Sequence, residues 1–253
     1  MKFSYPSIVR FSECGKNGRL SVPAIVTYMQ DCSAMQSDWL GIGTNELIAS
    51  HRAWFVIGWN IQIYERPEAN TRIRVWTWST RFTGIYGERC MQITNEMTGE
   101  VYAECAALYV YMNLSTMHPT KAEGPLVLGY KTSPALTSVK KSGRKLPVIG
   151  EQREADTFVV RKHDTDAYGH MNNARYVFYA SDCLPDGFET GRLQVEYKIS
   201  ARAGDVVHIF TSETDTQFEV EMRGDDGQIF ARILYTKKGE GNDSAGKDAE
   251  TES

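Results

Sequence analysis

Val159-Val160-Arg161, followed at a fixed interval by Gly169-His170-Met171-Asn172, repeats Ile8-Val9-Arg10 and Gly18-Arg19-Leu20-Ser21 near the start of the chain. The offset is 161 − 10 = 151 and holds without a gap: Gly18 falls on Gly169, Leu20 on Met171 and Ser21 on Asn172. Further along, Gly99-Glu100-Val101-Tyr102-Ala103-Glu104 matches Gly227-Gln228-Ile229-Phe230-Ala231-Arg232 at an offset of 227 − 99 = 128. Two colinear matches at different offsets mark a duplication whose first copy has the longer loops.

Each copy reads as a strand, a long helix and four more strands. In the first, Ser4–Phe11 is a strand, and Ser21 is placed to cap a helix with Pro23 in its first turn. Val22, Ile25, Val26, Met29, Cys32 and Trp39 recur near the 3.6-residue period, and Gly41 and Gly43 end the helix. Strands are predicted at Trp54–Tyr64, Thr71–Arg81, Tyr86–Asn95 and Val101–Asn113. In the second copy a strand at Thr157–Arg161 leads to a helix capped by Asn172 or Asn173, which Pro185-Asp186-Gly187 stops. Strands follow near Leu193–Ile199, Asp205–Thr214, Gln217–Arg223 and Ile229–Lys237, with Asp225-Asp226-Gly227 as a hairpin turn. A twisted antiparallel sheet wrapped around a long central helix satisfies the apolar face of both, giving an α+β fold in two tandem units.

The units are expected at residues 1–123 and 156–238, joined by a Pro-, Ser- and Gly-containing linker at 124–155. Residues 239–253 hold no large apolar side chain and are expected to be a disordered tail. The apolar fraction of 42%, charged fraction of 24% and net charge of −4 fit a globular protein without the basic footprint of a nucleic-acid binder. No apolar run reaches membrane-spanning length, so no membrane insertion is expected, and no secretory signal is read at the start. The five cysteines, Cys14, Cys32, Cys90, Cys105 and Cys183, are scattered and lack a C-x-x-C pair. They argue for no disulfide framework, no zinc site and a cytoplasmic protein.

The copies differ where chemistry would sit. Asp164-Thr165-Asp166-Ala167-Tyr168-Gly169-His170-Met171 lies opposite Glu13-Cys14-Gly15-Lys16-Asn17-Gly18-Arg19-Leu20, so Asp166 faces Gly15 and His170 faces Arg19. An acid and an imidazole occur together in the second copy alone, just before a helix N-terminus. A carboxylate there can activate water or attack a carbonyl, an imidazole can assist, and backbone N–H groups near Gly169–Asn172 could hold an oxyanion. Asp164 and Asn172 also fit as plain caps, and His51, His118, His163 and His208 are isolated. Trp54, Trp59, Trp76 and Trp78 read foremost as core residues.

The run from Asp164 through Tyr176 resembles the D-x-D-x-N-x-H-V-N-N-x-x-Y signature of acyl-ACP thioesterases, where it opens the second of two hotdog units. Val9-Arg10, the helix from Ser21, Trp54–Tyr64 and the block from Thr98 to Asn113 follow the order of the same family. The resemblance implies two tandem hotdogs and hydrolysis of fatty acyl-ACP to free fatty acid, with acyl-bearing ACP as partner. Asp166 and His170 match catalytic positions; Tyr168 stands where the family has Asn, and Ser200-Ala201 where it has an acid and cysteine. Tyr168 is nevertheless a candidate for positioning water. D-x-D-x-x-G-H is similar, too, to single-hotdog acyl-CoA thioesterases, whose key acid again falls on Asp166. An acyl-CoA thioesterase and a catalytically silent acyl-binding protein are therefore the alternatives. Gly169, Asn172 and Asn173 are expected to contact substrate at the reacting end, and Trp54, Val56 and Met29 along an acyl slot in the first unit. Arg161, Lys162 and Arg175 are candidates for receiving the acidic carrier. No metal or cofactor is expected, because a thioester is reactive enough for attack by water. Either a monomer, with the hotdog pairing supplied internally, or a homodimer is expected.

Overall fold

Ser21 opens the first long helix: its hydroxyl accepts a hydrogen bond from the Ala24 amide at 3.3 Å, with Pro23 in the first turn. The computed structural model describes residues 1–143 and 145–239. Helix α1 (Val22–Trp39) buries Val22, Ile25, Val26, Met29 and Cys32, as the period predicts. Trp39 departs from that prediction. It is 61% exposed at the last turn and tilts its ring against Phe3.

Strand β1 (Phe3–Ile8) precedes α1. After it come α2 (Thr44–Ala49), β2 (Arg52–Ile63), β3 (Arg72–Thr83), β4 (Tyr86–Asn95), β5 (Val101–Asn113), the two-residue β6 (His118–Pro119) and the short α3 (Pro125–Leu128). The second copy supplies β7 (Arg153–Val159), α4 (Asn173–Asp182), β8 (Thr190–Tyr197), β9 (Val206–Glu213), β10 (Gln217–Arg223) and β11 (Ile229–Lys237). Asn172 caps α4 by accepting from the Ala174 amide at 2.9 Å.

Eleven strands form one sheet, ten of them in the order β1-β3-β4-β5-β2-β8-β11-β10-β9-β7 and β6 paired to β5. The first five and the last five repeat the same connectivity, β2 answering to β8 and β1 to β7. The halves meet where β2 pairs antiparallel with β8, Gly58 opposite Glu196 through Gln62 opposite Arg192. On the concave side α1 and α4 pack together, and a single apolar core runs through both halves.

The duplication extends to individual hydrogen bonds. The Arg10 amide donates to Glu13 at 2.8 Å and the Arg161 amide to Asp164 at 2.9 Å. The Tyr28 hydroxyl donates to the same Glu13 at 2.6 Å, and the Tyr179 hydroxyl to Asp164 at 3.2 Å. Asp164 is buried and serves this turn, so it is a structural acid.

Several boundaries differ from the sequence reading; β8, for one, runs Thr190–Tyr197 rather than Leu193–Ile199. The first strand ends at Ile8, because Phe11–Glu13 turns as a 3-10 helix. The seventh strand begins at Arg153, inside the expected linker, and stops at Val159. It is an edge strand paired only with β9, so Arg153-Glu154-Ala155-Asp156 stays exposed and shows no apolar alternation. The expected tail lies, from residue 240 onward, outside the described residues.

The segment between the halves crosses the back of the sheet rather than hanging free. Lys140 accepts there from the Asn60 side chain at 2.7 Å. The Leu146 amide donates to Glu196 at 2.9 Å and the Ile149 amide to Glu219 at 3.1 Å. Both carboxylates are buried, and the linker backbone adds a donor to the partners they already have in Lys198 and in Ser212 and Arg232.

Candidate active site

A tight turn at Asp166–Gly169 leads from the 3-10 turn Lys162–Asp164 into α4. The Gly169 amide donates to the Asp166 carbonyl at 3.0 Å, and Gly169 has φ +72°, a conformation that favours glycine. Gly18 holds the same place and the same φ in the first copy. Asp166 differs from its counterpart Gly15 by a carboxylate, whose Oδ1 accepts from the Tyr168 amide at 2.8 Å and the His170 amide at 3.3 Å. Its Oδ2 has no hydrogen-bond partner among the described residues. One oxygen is thus fixed by the backbone while the other is available.

Phe55 on β2 organises the two aromatic neighbours. Its ring meets Tyr168 edge-on at 5.6 Å between centroids and His170 at 5.5 Å. Burial pushes the His170 imidazole below the ordinary histidine range; Asp166 opposes this and the Arg202 guanidinium, 3.5 Å from Nε2, adds to it. Burial likewise pushes the Tyr168 phenol up, offset by a hydrogen bond with Thr44 and reinforced by Asp166. At Arg19, the His170 position of the first copy, the side chain is instead committed to Glu65 and Glu68.

Asp166, Tyr168 and His170 line a cavity of about 260 Å³ whose other walls come largely from the first half of the chain. Trp54 and Val56 line it, as does Asn173. Gly87 makes room for Trp54, since a Cβ there would lie 3.0 Å from the indole. Three expected contacts fall elsewhere. Met29 is fully buried in the main core on α1, Asn172 spends its side chain on the α4 cap, and Gly169 shapes the turn without reaching the wall.

The expected oxyanion donors from Gly169 to Asn172 are already committed. The Gly169 and His170 amides bond Asp166, the Met171 amide bonds the Ala201 carbonyl at 2.8 Å, and the Asn172 amide bonds the Asp164 carbonyl at 2.8 Å. Asn173 is the exception. Neither its backbone N–H nor its side-chain amide has a hydrogen-bond partner among the described residues, while its carbonyl accepts from the Tyr197 hydroxyl at 2.9 Å. That tether fixes the first turn of α4 against β8. Ser200 lines the cavity and Ala201 is buried, its amide donating to the Tyr176 hydroxyl at 2.9 Å.

Sequence reasoning missed Phe55, Arg202 and Arg89. A bulge between Val56 and Gly58 breaks the two-residue alternation of β2, so Phe55 could not be assigned a face. Arg202 reaches the site from the connection after β8, through a bridge with His170 that no local pattern announces. Arg89 did leave a signal: Gly87, Arg89, Met91 and Ile93 share the inward face of β4, and a lone charge on that face is out of place.

Residues 1–127 match the acyl-ACP thioesterase N-terminal domain and residues 149–238 the acyl-ACP thioesterase C-terminal domain. The chain is 24% identical, over 82% of its length, to oleoyl-acyl carrier protein thioesterase 1, chloroplastic, of Arabidopsis thaliana, and covers 62% of that protein. It is also 24% identical, over 81% of its length, to a dodecanoyl-[acyl-carrier-protein] hydrolase of Cinnamomum camphora, covering 57% of it. The chain thus spans about six tenths of the curated relatives it matches. Among solved structures, an acyl-ACP thioesterase from Bacteroides thetaiotaomicron superposes with a TM-score of 0.83 at 20% identity, over 93% of this chain and 97% of that one. That likeness shares the fold, and the two domain matches together cover most of the residues: the chain belongs to the acyl-ACP thioesterase family.

Proposed function

We propose that the protein hydrolyses the thioester of fatty acyl-ACP, releasing a free fatty acid and the carrier thiol. The observation that carries this reading is the Asp166 carboxylate, pinned by two backbone amides in the wall of a cavity that could hold an acyl chain. The free Oδ2 takes a proton from water, and the oxygen of that water attacks the thioester carbonyl. The amide groups of Asn173 meet the oxyanion that forms. Collapse of the tetrahedral intermediate breaks the C–S bond, and the proton held by Asp166 returns to the departing sulfur. His170, kept mostly neutral at neutral pH by its lowered pKa, assists by accepting and relaying that proton. Tyr168 orients the attacking water through its hydroxyl.

The first unit (1–123) holds the acyl chain, with Trp54 and Val56 in the wall, and the second (156–238) carries the chemistry. Arg161 and Lys162, both exposed in the turn that leads to Asp166, receive the acidic carrier; Arg175 contributes less, because it faces Asp164 at 3.7 Å. One chain contains the whole arrangement, so neither a monomer nor a homodimer alters the reading. No helix among the described residues is long and apolar enough to cross a membrane. Free cysteines at five positions suit a reducing, cytoplasmic setting.

The test offers the purified protein acyl-ACP and acyl-CoA over a range of chain lengths and follows thiol release. Release from ACP is expected, and Asp166→Asn should lower kcat by about 10²–10⁴-fold while leaving the fold intact. A folded Asp166→Asn with near-wild-type turnover would remove Asp166 from catalysis. Release from CoA alone would overturn the carrier assignment, and no release from either would leave a binding protein.

A further inference from the structure

We propose that the cavity is built for an acyl group carrying a carboxylate at its far end, and that Arg89 is the residue that takes it. This rests on the hydrolase reading above and adds the class of acyl chain. Arg89 stands on β4, whereas the chemistry lies beside β8; the sheet places β2 and β5 between them. Three strand-to-strand steps put the two ends roughly 14 Å apart. Arg89 is 7% exposed and lines the cavity wall.

Its guanidinium is incompletely satisfied. Nη1 donates to Gln36 Oε1 at 2.6 Å and to Thr77 Oγ1 at 3.0 Å. Nε and Nη2 have no hydrogen-bond partner, and no carboxylate lies within ion-pair distance, among the described residues. Neighbouring Glu88 faces the back of the sheet, where it pairs with Lys141 at 2.8 Å. The Tyr130 and Tyr109 rings, with centroids 5.2 Å and 5.9 Å away, supply only a weak counter-field.

A plain alkyl tail would leave Nε and Nη2 of Arg89 unsatisfied and would desolvate a cation besides. A carboxylate matches the open Nε–Nη2 edge, which presents two parallel N–H bonds in the geometry such groups accept. If Arg89 were only a plug that shortens the slot, neutral chains would be preferred and a same-sized apolar side chain would serve equally well.

The experiment compares ACP thioesters of plain saturated acids, their ω-hydroxy analogues and the matching half-thioesters of α,ω-dicarboxylic acids, with wild type and Arg89→Met. Wild type should favour the ω-carboxy series in kcat/KM by about ten- to a hundredfold over the plain series, with ω-hydroxy chains between. Arg89→Met should abolish or reverse that ratio. A wild-type preference for plain chains, or a ratio unchanged in Arg89→Met, overturns the proposal. Calorimetry of free dicarboxylic against monocarboxylic acids binding to wild type gives a readout independent of turnover and of whether Arg89→Met folds. If no thioester is cleaved, the hydrolase reading fails by itself. Tighter binding of the diacid then still supports the Arg89 assignment, and equal or weaker binding overturns it.

Discussion

Asp166 uses one oxygen to build its own turn and leaves the other without a partner among the described residues, so the role proposed for it does not compete with its place in the turn. His170 depends on its surroundings differently: burial and, less strongly, Arg202 disfavour its charged form, while Asp166 favours it. If activity requires neutral His170, kcat/KM holds as pH falls and declines only below the ordinary histidine range. Removing the positive charge by Arg202→Ala raises the His170 pKa, so the acid limb should move to higher pH. Arg202 is exposed, and the shift should shrink as salt is added. A pH–rate profile of both proteins at low and high salt checks this, and an unmoved limb would separate Arg202 from the site. Asp166 and His170 stood out as candidates because one copy could be compared with the other, and Tyr168 because of the resemblance to the family signature. The oxyanion donors did not. A helix N-terminus suggests free amides, but the bonds that occupy Gly169 through Asn172 come from Asp164, Asp166 and the distant Ala201 carbonyl.

Both long helices and eight of the long strands could be read from periodicity and turns, since each has one apolar face and a clear stop. α2, α3 and the start of β7 could not: two are a turn or two long, and the third is a polar edge. Beside its backbone pairing with β9, that edge carries a side-chain clasp. His208 on β9 bonds Glu154 on β7 through Nδ1 at 2.9 Å and Asp225, in the β10–β11 turn, through Nε2 at 2.8 Å. Asp225 and then Glu154 raise the His208 pKa above its ordinary value. The clasp therefore contributes fully below the unfolded histidine pKa and is lost as pH rises through the raised folded value. Amide exchange of β7 should accelerate, beyond the intrinsic base dependence, as pH passes through that window in wild type. His208→Gln should show no such step. Identical pH dependence in the two proteins would mean that backbone pairing alone secures the strand.

At the scale of the molecule the duplication becomes one sheet, because β2 and β8 offer each other the edges that two separate units would leave open. The seam is short, from Gly58 to Gln62 on one side and Arg192 to Glu196 on the other, but it is reinforced from both faces. α1 packs on α4 in front, and the linker lies behind, where Asn60 holds Lys140 and Glu196 holds Leu146. The cavity straddles the same seam, with Trp54 and Arg89 on one side and Asp166 and Tyr197 on the other. Fold and site are thus coupled: neither half has a complete wall, and neither has a covered edge at β2 or β8. Expressed alone, residues 1–127 should bury that edge against a second copy or aggregate, which light scattering would register as a mass above that of the monomer. Adding residues 149–238 in trans should draw the first piece into a one-to-one complex only weakly, because the connecting segment that covers the buried carboxylates of β8 and β10 would be mostly missing. A stable, monodisperse monomer of 1–127 with native-like thermal stability would show that the β2 edge tolerates exposure and that the seam serves the cavity more than the fold.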